Sequence, residues 1–407
     1  MTAIDAAPAA APDIRLARRN LFVLATASAV VGSVPSVAIT LAGLAGSYLL
    51  GPDKSLATLP VTAMNLGVAL GAIPAAAIMR RVGRRSGFML GALIGTCGGL
   101  LAALAIFAGT FLGFTAALLV MGWAGAFTQQ YRFAAGEGSS EALRAKAVSF
   151  VLAAGVASAV IGPQTVIFTH DLLLPTPFAG AFVAAGVLFL IGLAAVSFLG
   201  GAARLPPPVH AAAGGGRRLR VIVLQPRFLV AVLCAMSAYG LMSLVMTAAP
   251  LAMINCGLSE SNAALGIQWH VIAMYAPSFV TGTLIARVGK APVIVAGMVL
   301  LAGCGVAALS GLDILNFWVA LVCLGVGWNF GFIGATALLA ETYRVEERAR
   351  IEGLNDALVF GIVALASLSS GSLLSFAGWN AVNLVIFPVV ALALAALAFG
   401  GKRRQPA

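Results

Sequence analysis

AAIMRRVGRR at 76–85 and GTLIARVGK at 282–290 decide how this chain is read. In each, an apolar run ends in Arg-Val-Gly and a further base: Arg81, Val82, Gly83 and Arg84 in the first copy, Arg287, Val288, Gly289 and Lys290 in the second. Two more anchors recur at the same offset of 204 to 206 residues. Gly122 and Trp123 match Gly327 and Trp328, and Glu137, Arg144 and Lys146 match Glu341, Arg348 and Arg350. Three anchors at one offset read as a duplicated unit, with the basic stretch as the joint between two apolar segments of each copy.

Outward from these joints the chain is almost continuously apolar: 61% of its 407 residues are hydrophobic and 9% charged. A soluble domain carries about 25% charged residues, so the bulk of this surface is expected to face lipid. Spanning a hydrocarbon core takes roughly 20 apolar residues per helix. The first copy supplies six spans, near 21–49, 57–79, 87–108, 111–134, 147–169 and 178–199. The second supplies six more, near 227–254, 262–286, 292–311, 315–340, 353–376 and 379–399. The expected fold is an all-α membrane protein of twelve transmembrane helices in two pseudo-twofold-related six-helix bundles.

With that threading, every one of the 24 Lys and Arg residues except Lys54 falls on one side. Basic residues near helix ends are retained in the cytoplasm, so both termini are expected inside a bacterial inner membrane. The tail 1–20 precedes an apolar run too long for a signal-peptide core, and no cleaved leader is expected. Between the copies, 200–226 holds Pro206 to Pro208, Gly214 to Gly216 and a cluster of arginines without apolar period, which reads as a flexible linker; 400–407 is a short basic tail.

The net charge of +11 lies in short clusters between apolar runs. These fit topology signals and anionic-lipid contacts rather than a nucleic-acid face. Five cysteines, odd in number and without ligand spacing, give no expectation of disulfides, zinc or any other metal. Phosphate loops, nucleophile elbows and paired catalytic carboxylates are missing from the sequence, so neither catalysis nor a cofactor is expected.

The stretch 76–85 resembles the loop signature of the major facilitator superfamily: Gly, three residues, Asp, Arg, any residue, Gly, Arg, Arg. The second copy keeps the leading Gly282 with Arg287, Gly289 and Lys290; Ala76 replaces the first copy's glycine, and Arg80 and Ala286 stand where the acid belongs. The resemblance covers about 20 to 400 and implies alternating access between two rocking bundles. In the family that acid helps latch one gate. Here Glu137 with Arg144, and Glu341 with Arg348, are the acid–base pairs able to replace it, solvated loop charges being the plainer reading. Proton-exchanging members carry an arginine in helix four and a Gly-Pro element followed by paired glycines in helix five. Here Gly162 and Pro163 are present as a candidate kink, but Gln164 to Ile167 follow and Leu118 to Gly125 holds no arginine.

The resemblance also places helices one, four, seven and ten around the central cavity. Ser33, Ser36 and Thr40 share a face of helix one, and Tyr239 and Ser243 a face of helix seven. The alternative is that such hydroxyls bond their own i−4 carbonyls. Trp123 with Gln130 on helix four, and Trp328 beside Asn329 on helix ten, complete the candidate lining. As repeat mates the tryptophans are able either to sandwich a flat ligand or to fill space beside neighbouring glycines. His270, about nine residues into helix eight, is the histidine inside a span. It is a candidate for proton coupling, against the commoner role of a packed core histidine.

The sequence thus reads as a secondary transporter of a small organic solute, driven by protons and working as a monomer. Efflux of amphipathic compounds is the expected direction, with uptake of a neutral nutrient or vitamin as the alternative. A membrane sensor or lipid-handling protein on the same fold is the reading from another class.

Overall fold

The computed structural model describes residues 14–131, 134, 141–200 and 217–400; within these, the side chains of Ile14, Ala17, Arg80, 141–153, Val345, Arg348 and Ala349, and the burial of Gly400, lie outside the description. The first bundle comprises α1 (Ile14–Val31), α2 (Val34–Leu49), α3 (Leu59–Val82), α4 (Arg84–Phe107), α5 (Phe111–Thr128), α6 (Glu141–Thr169) and α7 (Ala179–Ser197). A short α8 (Leu219–Val223) leads into the second: α9 (Pro226–Asn255), α10 (Glu260–Tyr275), α11 (Ser278–Val288), α12 (Lys290–Leu309), α13 (Ile314–Leu339), α14 (Arg348–Leu384) and α15 (Ile386–Gly400). Among the described residues, nine helical segments are long and apolar enough to span a membrane, and the pair α10 and α11, bent by 41°, makes a tenth. One of the nine, Arg350–Phe399, is 50 residues long. Gly378 breaks it at φ 76°, ψ 179°, so it carries both the eleventh and the twelfth expected spans. The shorter apolar segment Ala154–Thr169 is the fifth.

The duplication recurs in the packing. α3 and α4 both lie on α5, α4 on α7, and α1 on α6 and α7; correspondingly α10 and α12 lie on α13, α12 on α15, and α9 on α14 and α15. Each half has its own apolar core, with Leu251 and Ala264 lent to the first and Ala159 to the second. The halves meet where α6 packs on α10, α3 on α14 and α2 on α9. Glycines set the closest crossings: a Cβ on Gly67 would lie 2.2 Å from the Leu119 carbonyl oxygen.

Two expected spans are interrupted. The first breaks at Gly32–Ser33, two residues before Pro35, and the eighth at Ala276–Pro277. Pro74, Pro163 and Pro250, by contrast, sit inside helices that run on. The linker also differs from its expectation at its far end, where Ile222 of α8 is buried with Phe228, Ala231, Leu339 and Ile351 of the second bundle.

Candidate functional site

The burial pattern of the central helices implies a vestibule between the halves, open on the side that carries the basic loops. On α9 every residue from Gly240 to Met253 is buried, whereas Leu229, Leu233, Met236 and Tyr239, one helical face nearer the basic end, are not. α2 behaves alike, with Thr40 to Gly46 buried and Leu251 of α9 lying 3.2 Å from where a Gly43 Cβ would be. The two central helices therefore close against each other over the half away from the basic loops and part below it.

At the depth where they part, four aromatic rings from three helices meet. Tyr239 of α9 stands edge-on to Trp328 and Phe332 of α13, at centroid distances of 5.4 and 5.1 Å, and lies 5.8 Å from Phe360 of α14. Trp328 and Phe332 stack at 5.4 Å with planes 14° apart. Gly331 allows the assembly, because a side chain there would come within 3.1 Å of the Ala238 methyl and push α13 from α9. Tyr239, Phe332 and Phe360 are half-buried, while Trp328 is 8% exposed. The Trp328 indole N–H is shielded and has no acceptor among the described residues. Among apolar rings flat surfaces are cheap to desolvate and stack well, so the cluster suits a planar, amphipathic solute.

The remaining candidates fall elsewhere. Trp123 continues the exposed series Leu112, Ala116 and Leu119 along α5 and sits over Gly71 of α3, away from the aromatic cluster that holds its repeat mate. Ser33 donates to the Val30 carbonyl at 2.6 Å and Thr40 to that of Ser36 at 2.8 Å, both fully buried. Ser36 packs against Gly162 of α6, where any side chain would collide with the Ser33 carbonyl oxygen at 2.5 Å. α6 runs unbroken through Gly162 and Pro163. Ser243 joins α9 to α14 by donating to the Val363 carbonyl. Gln130 is half-buried just beyond α5. Asn329 turns away from Trp328 toward the break between α10 and α11: it donates to the Met274 carbonyl and the Ser278 hydroxyl and accepts from Thr281, each at 2.6 Å. His270 is fully buried between α10 and α13, with Nδ1 2.8 Å from the Leu321 carbonyl oxygen. A carbonyl only accepts, so Nδ1 carries the proton, and Nε2 presents a lone pair with no partner among the described residues.

The basic rim shows what the duplicated signature builds. Gly83 and Gly289 adopt nearly the same backbone, φ 85°, ψ 162° and φ 92°, ψ 168°, each ending one helix and starting the next. That region is all but closed to residues with a Cβ. Arg81 and Arg287 are exposed and Arg84 is buried. Lys290 bonds Glu341 at 2.5 Å, and Arg227 lies 3.8 Å from the same carboxylate. Among the described side chains the partners of Glu341 are Lys290 and Arg227; the side chain of its expected partner Arg348 lies outside the described residues. Glu137 and the side chain of Arg144 lie outside the described residues. A neighbouring clamp was not foreseen: Arg217, within the expected linker, holds Glu347 through Nε and Nη2 at 3.0 and 2.7 Å, and its backbone N–H adds a third bond. Arg217 and the Arg344 backbone N–H draw the Glu347 carboxyl down to about 2, and the same contact raises Arg217.

At the opposite end the halves are stitched by hydroxyls that periodicity did not flag. Thr58, before α3, donates to the Ser367 carbonyl of α14 at 3.0 Å and accepts the Gly371 N–H at 3.2 Å. Thr62 reaches the Ser367 hydroxyl, and Ser372 bonds the Ser55 carbonyl. Gln164 of α6 and Gln268 of α10 join the halves at 2.9 Å.

Two bundles of one repeated design, a seam of small residues and a vestibule with an aromatic base define a membrane transporter, and the chain belongs to the Major Facilitator Superfamily, whose profile matches residues 21–334 and 231–407. It is 46% identical over 385 residues to "Riboflavin transporter RfnT" of Brucella anthropi, covering 95% of this chain and 96% of that protein. Two Bacillus subtilis proteins described as uncharacterized MFS-type transporters are also similar: YddS, 28% identical over 92% of this chain and 91% of its own, and YdeG, 29% identical over 91% and 89%.

Proposed function

We propose that this protein imports riboflavin or a close flavin relative across a bacterial inner membrane. The observation that carries the reading is the ring cluster of Tyr239, Trp328, Phe332 and Phe360 at the base of the vestibule. It offers a seat for a flat tricyclic ring, and the likeness to RfnT supplies the solute that fits it. Uptake is preferred over the efflux that the Gly162-Pro163 element favours, because the fourth span lacks the antiporter arginine. The basic loops are assigned to the cytoplasm by charge retention, so the vestibule opens inward. The protein acts as a monomer, both walls of the vestibule coming from one chain. A proton gradient drives accumulation, with His270 as the group that loads through Nε2. The test is growth and labelled-riboflavin uptake in a bacterium unable to make the vitamin, with and without this gene. Restored growth on low riboflavin and uptake that collapses with an uncoupler are expected. Uptake equal to the empty strain, or faster loss of preloaded flavin, overturns import.

A further inference from the structure

The Trp328 N–H is a buried donor with no acceptor among the described residues, inside a cluster whose other rings are half-buried. A buried donor left unpaired is unfavourable, and native structures keep few without a use. Indole nitrogen only donates, so whatever completes this group must bring an acceptor. Tyr239 and Phe332, the rings packed on Trp328, are themselves only half-buried.

We propose that Trp328 is a specificity-determining residue: its Nε1–H donates to an in-plane acceptor, a carbonyl oxygen or ring nitrogen, of a flat heteroaromatic ring stacked among Tyr239, Phe332 and Phe360. The inference rests on the flavin reading and adds what stacking lacks. A stack of π faces is indifferent to how the ring is turned, whereas one fixed donor accepts only the edge that carries an acceptor. In the empty site the donor is left unpaired; in the filled site it is satisfied.

The experiment measures equilibrium binding to the purified full chain in lipid nanodiscs by quenching of flavin fluorescence. Ligands are riboflavin and its 1-deaza, 5-deaza, 2-thio and 4-thio analogues, each weakening one acceptor. Wild-type protein is expected to bind one analogue about tenfold more weakly than riboflavin, which corresponds to about 1.4 kcal/mol. Trp328→Phe, which keeps a flat ring and removes the N–H, is expected to raise the riboflavin Kd about tenfold and to bind that analogue and riboflavin alike. Trp328→Leu loses more, since stacking goes as well. If Trp328→Phe matches wild type, or wild type binds all five ligands equally, the inference is overturned; the second result stands even where the variant misfolds. If wild type binds no riboflavin, the flavin reading itself fails and takes the inference with it.

Discussion

Asn329 shows how far residue identity carries and where it stops. A polar side chain in a helix expected to line the cavity is a fair candidate from sequence, yet this one spends all three of its described bonds on the break between α10 and α11. The chain is interrupted at Ala276–Pro277, and Asn329 satisfies groups on both sides of the gap. Asn329→Leu is therefore expected to strip its donors from the Met274 carbonyl and the Ser278 hydroxyl, while Thr281 keeps its bond to the Pro277 carbonyl, and to destabilise the protein by about 2–3 kcal/mol, read as a lower thermal midpoint in detergent. Thr281→Val, which removes one of the three bonds, should cost about 1 kcal/mol or less, and equal midpoints for the two variants would contradict this account. His270 is argued at the same scale. Its ring is fixed by the Leu321 carbonyl and leaves Nε2 free to take a proton. His270→Ala should abolish uphill riboflavin accumulation while leaving exchange across a flavin gradient, and loss of both to the same degree would assign the ring to packing alone. Sequence gave each of these residues a span and a face. It was silent on what that face meets, because periodicity fixes direction around one helix and partners come from a second. The hydroxyls of Ser33 and Thr40 illustrate this, Ser33 bonded to the end of the preceding α1 and Thr40 to its own helix rather than exposed to a ligand in this conformation.

At the scale of helices, the spans and the two signature glycines were legible because length, hydropathy and a Gly-only backbone leave direct marks. The interruptions were not. Of the prolines in or near spans, Pro277 accompanies a break while Pro74, Pro163 and Pro250 do not, so the neighbour that satisfies the freed groups decides, and only tertiary structure shows it. The contact of Thr58 with α14 is the clearest case of an element feature that no single helix reveals. Ser367 C=O and Gly371 N–H are four residues apart, the spacing of a helical bond, and the Thr58 hydroxyl bonds both. When the halves part at this end, those two groups still have each other, so no backbone dipole is stranded in a membrane where stranding is costly. Gly371 is needed for the closed state, since a Cβ there would lie 2.5 Å from Thr58 Oγ1. Gly371→Ala should shift the protein toward the state open at this end and speed thiol labelling of Ser372→Cys several-fold, with Thr58→Ser close to wild type. Unchanged labelling in Gly371→Ala would remove Thr58 from the gate.

The whole molecule is two copies of one packing scheme, and alternating access asks that each move as a body. The described contacts suit that division, since each half has its own core and the rim charges of the second, Lys290, Arg227 and Glu341, bond within it. The flexible linker expected from Pro206 to Pro208 and Gly214 to Gly216 is shorter than composition implied, because a glycine- and proline-rich stretch reports chain freedom and says nothing of where its flanks dock. From Arg217 onward it belongs to the second half: Arg217 grips Glu347 and the Thr342 carbonyl, and Ile222 enters a small core with Phe228 and Ile351. This anchor fixes where the tether leaves the moving body. Glu347→Gln should release it, and trypsin should then cut after Arg217, Arg218 or Arg220 faster than in wild type while riboflavin binding is retained. The pH dependence follows from the carboxyl held at about 2, below its ordinary value of 4.5. A depressed carboxylate contributes stability that is fully present above the unfolded value and is lost as pH falls toward the folded one. Docking of 217–223, followed by an environment-sensitive dye on Leu219→Cys, should therefore hold constant from pH 7 to about 5 and fall away only between about pH 4.5 and 2. Release already at pH 6 would show that a group other than Glu347 governs the anchor.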